Sequence, residues 1–486
     1  MPVTISEDIF FIDDAADGGL QMQLRQSISA AILAGRVQIG DRLPSSRKLA
    51  QHLKISRITV TLAYQELVAD GYLASRDRSG YFVADTAPVA QMPRATAAKP
   101  TNVINWQNHL ARSFTGRQRL EKPANWRDFP YPFIYGQADA TLFNHSAWRS
   151  CAHRALGKRD FDALANDHAE ADDRELVDFI ARHTLPRRGI AARPEEILIT
   201  LGAQNALWIV SQLLLGPGRT AAIENPGYPG IRDIISRTGC AVTPVDVDEN
   251  GLPPEALPDE TDVVFVTPSH QAPTTVTMPM ARRRALLKRA AEKDFIVVED
   301  DYEFEMSFLR PPYPALRSLD GDGRVVYVGS FSKSLFPGLR LGYLVAPETL
   351  IAEARALRAT VLRHPPGHIQ RTTAYFLALG HYDALVRRMR DRFHKRRAIM
   401  AEGIRDLGLT TAHASVFGGT SFWMEAPMGC DTTRLAAELL DDGVLIEPGS
   451  AFFAPDTLAA PHYRIAYSSI DESRIVEGLK RIKARL

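Results

Sequence analysis

VVYVGSFSKSLFPGLRLGY (residues 325–343) opens as a strand and breaks into a turn carrying Ser330, Ser332, Lys333 and Ser334, with Arg340 further on. A lone Ser-Lys pair in a loop is ordinarily solvent-exposed decoration. This one has company. Upstream, FIVVE (295–299) runs into Asp300, Asp301 and Tyr302. ILIT (197–200) leads into Leu201-Gly202-Ala203-Gln204 at a helix start, and TAAI (220–223) leads into ENPGYPG with Tyr228. VVFVT (263–267) is a further strand candidate, and Ala203–Leu215 and Ala281–Lys293 read as helices between the strands. Continuous apolar strands separated by helices predict a largely parallel sheet covered on both faces. Such sheets bind ligands at the carboxyl ends of their strands, and all four clusters sit at such ends.

The chemistry of the clusters suits one cofactor, pyridoxal phosphate (PLP). A lysine amine forms a Schiff base with an aldehyde. A carboxylate such as Asp300 holds a pyridinium nitrogen protonated. The Tyr228 ring can stack on a pyridine. Helix-start N–H groups at Ala203 and Gln204, with Ser330, Ser332 and Arg340, suit a phosphate.

Working outward, residues 85–105 turn to Ala, Pro and Thr (TAPVAQMPRATAAKP) and read as a linker. Ahead of it lies a compact, helix-rich unit. Leu24, Ile28 and Ile32 recur at helical spacing and Gly35 stops that helix. In LPSSRKLAQHL, Ser45 or Ser46 caps a second helix with Leu49 and Leu53 inside. SRITVTLAYQELVADGYL gives a third, with Val60, Tyr64 and Leu67 buried, Ser56, Arg57 and Thr59 at its exposed start, and Gly71 at its end. YLASRDRSGYFVA then reads as a two-stranded ribbon turning at Arg78-Ser79-Gly80. Two helices, a short turn and a β-wing form a DNA-reading unit. Arg47, Arg57, Arg76 and Arg78 lie where such a unit meets phosphates and bases.

Length and composition agree. The 486 residues are 45% hydrophobic, enough for two or three folding units. A formal charge of +1, from 58 basic and 57 acidic residues, leaves room for a local basic patch. Cys151, Cys240 and Cys430 show no metal-ligand spacing and read as thiols of a reducing cytosol. No metal site is expected. MPVTISEDIFF lacks the basic n-region of a secretory signal. No apolar run reaches the ~20 residues that span a bilayer, so a cytoplasmic protein without membrane partners is expected.

GDRLPSSRKLAQHLKISRITVTLAYQELVADGYL and the wing SGYFVA resemble the GntR family of winged-helix regulators. The resemblance implies that Arg47, Ser56, Arg57, Thr59 and Gly80 contact DNA. Residues 130–486 resemble fold-type I aminotransferases. That implies an internal aldimine on Lys333, Asp300 on the ring nitrogen, Tyr302 on the ring hydroxyl and Tyr228 stacked on the ring. Arg464, in HYRIAYSS, falls where such enzymes clamp a substrate carboxylate, a task suited to a bidentate guanidinium. The two together are the layout of the MocR subfamily, which includes GabR-like regulators. The implied fold is α/β: a winged helix-turn-helix plus a large domain with a mainly parallel sheet and a smaller C-terminal α+β subdomain. The expected boundaries are an N-terminal extension (1–19), a DNA-binding domain (20–84), a linker (85–125) and an effector domain (126–486). The implied partners are an operator with two half-sites in double-stranded DNA, an amino compound with an anionic group, and a second copy in a head-to-tail homodimer.

A competing reading is a working aminotransferase with an accessory DNA-binding domain. PSHQAPTTVTMP (268–279) separates the two. Similar aminotransferases carry Asn-Pro-Thr-Gly here, with the Asn on the ring hydroxyl. This chain has Ala272 before Pro273, and Thr275 in place of the Gly. That favours sensing over turnover and leaves a slow half-transamination open. GabR-like proteins hold the γ-aminobutyrate carboxylate with an arginine two residues after the stacking tyrosine. Gly230 stands there, which argues against that effector. FPYPFIYGQADATLF (129–143) resembles MocR members linked to ectoine or taurine catabolism.

Overall fold

The computed structural model describes residues 5–12, 19–76, 79–88, 104–111, 113, 122–137, 139–165, 167, 169–413, 416–455 and 461–486. The chain divides into two compact units, Met1–Ser113 and Phe114–Leu486.

In the first unit, helices α1 (Leu20–Leu33), α2 (Ser46–Leu53) and α3 (Arg57–Ala69) precede strands β1 (Leu73–Arg76) and β2 (Gly80–Val83). The stripes read from the sequence are the core. Leu24, Ile28, Ile32, Leu49, Val60, Tyr64 and Leu67 are all at most 1% exposed. Ser45 caps α2 by accepting from Lys48 N, and Ser56 caps α3 by accepting from Ile58 N. The Tyr64 hydroxyl donates to Pro44 O at 2.9 Å, tying α3 to the entry of α2. Ile5 and Phe10, from ahead of α1, join this core. β1 and β2 pair antiparallel with Arg76 opposite Gly80. Gly80 has φ +99°, which explains a glycine where the wing returns. Arg78, expected in the wing turn, lies outside the described residues.

The second unit begins with the short β3 (Tyr131–Pro132) and α4 (His145–Ala155), α5 (Lys158–Ala165) and α6 (Arg174–Phe179). Its main sheet takes β4 (Ile197–Thr200), β5 (Thr220–Asn225), β6 (Ala241–Asp246), β7 (Val263–Val266), β8 (Ile296–Asp300), β9 (Val325–Ser330) and β10 (Gly342–Val345). The order is β4-β10-β9-β8-β7-β5-β6. Only β10 runs against its neighbours. The β5–β6, β5–β7, β7–β8 and β8–β9 pairs are parallel. Successive residues feed opposite faces. Val263 and Phe265 pack under α7 (Ala203–Leu214) and α8 (Pro229–Ile235), while Val264 and Val266 pack under α9 (Met280–Lys293). Such two-sided burial is why these strands read as unbroken apolar runs.

Past α10 (Leu316–Leu319), the long helices α11 (Glu348–Leu362), α12 (Gly367–Ala378) and α13 (His381–Asp406) lead into a smaller α+β layer. It contains β11 (Thr410–Thr411), β12 (Ser421–Glu425), α14 (Thr432–Asp441), β13 (Val444–Leu445), β14 (Glu447–Pro448), β15 (His462–Ala466) and α15 (Ile475–Arg485). Its antiparallel sheet has the order β11-β12-β15-β14, and β13 pairs parallel with β3.

One buried carboxylate holds the β4 edge. Asp172 accepts from Arg358 Nη1 at 2.6 Å, Arg355 Nη1 at 2.8 Å and Ile199 N at 3.2 Å. Arg358 is fully buried, so removing its partner strands a charge. Asp172→Ala should destabilise the second unit by ~3–5 kcal/mol. A fall of several degrees in the melting midpoint of the full chain is expected, and an unchanged midpoint would show that water replaces the carboxylate.

Candidate functional site

The strand ends that face one edge of the main sheet surround a cavity of ≈ 380 Å³. Ala203, Gln204, Tyr228, Asp300, Tyr302, Ser330, Ser332, Lys333, Arg340 and Arg464 all line it. These are the nine residues expected at a cofactor together with the one expected at an effector. Asp300 ends β8, Ser330 ends β9, and Ala203 and Gln204 open α7 just after β4. The first N–H groups of α7 have no intrahelical acceptor. Gly202, at φ +80°, makes the turn into that helix. A Cβ there would sit at ordinary contact distance from Arg340 and Ser332, so it is the positive φ and not crowding that calls for glycine.

Two polar atoms of the cavity lining lack protein partners. Asp300 Oδ1 and Ser332 Oγ are buried without a hydrogen bond. A buried acceptor left so is costly unless something else serves it. The ring nitrogen and phosphate of PLP are groups of the required kind, so the donor set fits that cofactor. The Lys333 amine sits 4.2 Å from the centroid of Tyr135. A Cβ on Gly136 (φ +71°) would come within 2.2 Å of Lys333 Nζ, so the glycine makes room for the amine.

Burial sets the protonation of these groups. It pulls Lys333 down to about 8, with the Arg464 charge helping and Glu303 opposing. It pushes Asp300 up to about 7, reinforced by the charges of Asp301 and Glu224. Behind Asp300, Asp301 stays an anion. Its carboxylate accepts from Arg188 Nε at 2.6 Å and from the Tyr327 hydroxyl at 2.9 Å. Arg188 also reaches Ser269 Oγ and Tyr313 O. His270 is buried and neutral, with its pKa lowered by burial to about 4.

Three placements refine the sequence reading. Tyr302 donates to His270 O at 2.8 Å, so its hydroxyl already has a protein partner beside the cavity. Ala272 lines the cavity with a methyl group where an asparagine would offer an amide. A Cβ at Gly230 would come 2.5 Å from Tyr228 Cζ, so any side chain there turns the tyrosine ring from its present place.

Other residues of the site were not singled out by the sequence. Tyr135, Phe452 and Glu447 surround the Arg464 guanidinium, whose Cζ lies 4.1 Å and 4.7 Å from the two ring centroids. Arg464 Nε donates to Glu447 Oε2 at 2.7 Å. Ile134, Gln137 and Lys122 complete that wall. Ile134, Tyr135 and Gln137 lie in the quoted stretch 129–143, but no residue of this wall was given a site role there. Only the folding of β3 and β14 toward the sheet edge brings them in.

The first unit presents a separate face. Arg47, Ser56 and Arg57 are exposed, Thr59 is half-buried, and Arg57 Nε reaches Ser46 Oγ at 3.4 Å. The exposed side of α3 also carries Ile58 and Leu62, 70% and 42% exposed, which sequence reasoning did not single out. Apolar side chains of this kind suit thymine methyl groups in a major groove. In the wing, the Arg76 guanidinium lies 4.6 Å from the Phe82 ring centroid. Among the described residues no helix is long and apolar enough to cross a membrane.

Comparison with known proteins matches both units. The model for bacterial regulatory proteins of the gntR family fits residues 20–83. That for aminotransferase class I and II fits residues 158–482. The chain is 54% identical over 484 residues to the HTH-type transcriptional regulator TauR of Rhodobacter capsulatus, covering 100% of both chains. It is 32% identical over 396 residues to the probable rhizopine catabolism regulatory protein MocR of Rhizobium meliloti, covering 80% of this chain and 78% of that one. Among solved structures, LysN, an alpha-aminoadipate aminotransferase from Thermus thermophilus complexed with a phosphopyridoxyl-leucine, aligns with a TM-score of 0.68 at 28% identity. That alignment covers 74% of this chain and 93% of LysN. With a helix-turn-helix unit and a PLP-type cavity in one chain, and relatives aligned across both, the protein belongs to the MocR-type transcriptional regulators, which join a GntR domain to an aminotransferase class I and II domain.

Proposed function

We propose that this regulator senses an amino compound bearing an anionic group, through PLP attached at Lys333, and reports it to DNA. Residues 20–84 act as the DNA-binding domain, 85–125 as the linker and 126–486 as the effector domain. The working form is a head-to-tail homodimer in the cytoplasm on an operator with two half-sites. The observation that carries the reading is the meeting of an amine with a lowered pKa, an unserved carboxylate oxygen, a phosphate-type donor cluster and Arg464 in one cavity of a chain that also has an exposed recognition helix. PLP supplies an electrophilic carbon for a ligand amine. Lys333 would hold it, Asp300 would keep the ring nitrogen protonated, and Arg464 would orient the ligand anion. Tyr228 covers the ring. Arg47, Ser56, Arg57, Thr59 and Gly80 meet the DNA.

Sustained transamination is the weaker reading because of Ala272. Without an amide on the ring hydroxyl, the electronic tuning that an aminotransferase uses is reduced. A slow half-reaction is consistent with that arrangement.

Attachment at Lys333 gives a pH signature. Only the neutral amine condenses with an aldehyde, and burial lowers the Lys333 pKa to about 8. The rate at which apoprotein takes up PLP should rise from pH 7 and level off above about pH 9. A free lysine, at ~10.4, would keep rising. Borohydride should then fix the cofactor to the one peptide containing Lys333, and Lys333→Ala should keep no visible band after dialysis. A rate still climbing at pH 10 would show that Lys333 is not depressed.

On DNA, Arg57→Ala should cost roughly 1–3 kcal/mol and relax sequence preference. Affinity should fall steeply with salt, as counterion release requires. An unchanged footprint would remove Arg57 from the reading set, and equal binding to one half-site would remove paired recognition.

For the ligand, amines, amino acids and aminosulfonates are titrated while the cofactor band and operator binding are followed together. Arg464→Ala should abolish the response to anionic ligands, with PLP content on the same sample distinguishing a lost anion site from a lost fold. A normal response would make Arg464 structural.

A further inference from the structure

In GVLIEPGSAFF (443–453) the one charged residue is Glu447. It stands opposite Arg464 in the register of β14 and β15. Gly449 fixes this closeness, since a Cβ there would lie 2.3 Å from His462 O on β15. The Glu447 and Arg464 side chains are 15% and 6% exposed, so their 2.7 Å contact is poorly screened. The guanidinium is held between Tyr135 and Phe452. Its Nε edge is filled by the protein's own carboxylate. The Nη groups have no hydrogen-bond partner among the described residues and remain for a ligand.

The charges lining the cavity are four cations, Lys122, Lys333, Arg340 and Arg464, and two anions, Asp300 and Glu447. With PLP in place as proposed above, Arg340 faces its phosphate, Lys333 its aldehyde carbon and Asp300 its ring nitrogen. Lys122 is exposed and donates to Gln137 Oε1 at 3.0 Å, so water screens it. What remains for a ligand is one Arg-Glu pair with no net charge. A first anionic group can take the outer edge of Arg464. A second meets the Glu447 carboxylate and no unclaimed buried cation.

We infer that Glu447 is a specificity-determining residue, admitting amino compounds with a single anionic group and rejecting amino dicarboxylates. The inference rests on the sensor reading above. Glu447 also holds Arg464 by Nε, which fixes the direction of the edge offered to the ligand.

The test uses the full-length, PLP-loaded protein and two isosteric ligand pairs, L-asparagine against L-aspartate and L-glutamine against L-glutamate. Each pair differs in one charge at constant size. Calorimetry gives the affinities, and PLP content is measured on every sample. Wild type should prefer the uncharged member by about tenfold or more, because like charges brought together in a buried site repel strongly. Glu447→Gln keeps an acceptor for Nε and should bring the ratio to within about threefold, whereas Glu447→Asp keeps the charge and should keep the preference. A wild type without preference overturns the inference and needs no variant. So does a PLP-loaded Glu447→Gln protein with the wild-type ratio, and in that case the sensor reading stands because ligands still bind. Failure of every probe to bind wild type and Glu447→Gln alike overturns the inference, and the titration with amines and aminosulfonates then decides the sensor reading.

Discussion

A half-buried amine and a buried carboxylate are brought together at the ends of two adjacent parallel strands, and the surrounding structure serves that constraint. Asp300 closes β8, and Lys333 follows the end of β9. Burial drives both toward their uncharged forms, Lys333 to about 8 and Asp300 to about 7. Side chains alternate along a strand, so Asp301 points away from Asp300. There it keeps its charge beside Arg188, with the Tyr327 hydroxyl as a second donor. One dipeptide thus puts a carboxyl whose charge is disfavoured by burial in the cavity and a fixed anion behind it. Opening either the Arg188 pair or the strand end would change the charge that the cavity offers.

The loop after β7 shows a related economy. Thr275, where similar aminotransferases carry glycine, sits at φ +63°, a region that a β-branched residue adopts at a cost of ~1–3 kcal/mol. Gln271 clamps it there. Its carbonyl accepts from Thr275 N at 2.7 Å, its Oε1 accepts from Thr274, and its Nε2 reaches Glu224, Pro226 O and Ala272 O. Polar bonding within the loop is therefore turned inward, and Ala272 brings only a methyl group to the cavity. The loop is held firmly without contributing a donor to the ring, an arrangement that suits holding a cofactor better than tuning it.

Legibility followed the source of each signal. The helices of the first unit were plain because each buries one stripe, and Val60, Tyr64 and Leu67 repeat at helical spacing. Five strands of the main sheet were plain because both faces are apolar. β6 and β10 were not. β6 is an edge strand with Pro244 and exposed positions, and β10 is four residues beginning with glycine. Pro in an edge strand costs no ladder bond on its open side, so tertiary position overrides the local signal. The site divided likewise. Lys333, Asp300, Tyr228 and the α7 start were readable because strand-end chemistry is local. Tyr135, Glu447 and Phe452 were not, because only the approach of β3 and β14 to the sheet edge places them.

Tyr135 also bears on why a sensor of this build should want a ligand with two handles. Lys333 Nζ lies 4.2 Å and Arg464 Cζ 4.1 Å from the same ring. A buried cation–π contact is worth up to ~2 kcal/mol. On the proposed reading, a ligand amine that took over from Lys333 would alter one of these contacts, and a ligand anion that drew on Arg464 would alter the other. An amine alone perturbs Tyr135 once, while an amine joined to an anion perturbs it twice, on the scale of the ~1–3 kcal/mol that couples sites in regulated proteins. A ligand shifts an equilibrium only by its differential affinity for the two states. Binding tightly through one handle, without changing the second contact, would fill the cavity and move the equilibrium less.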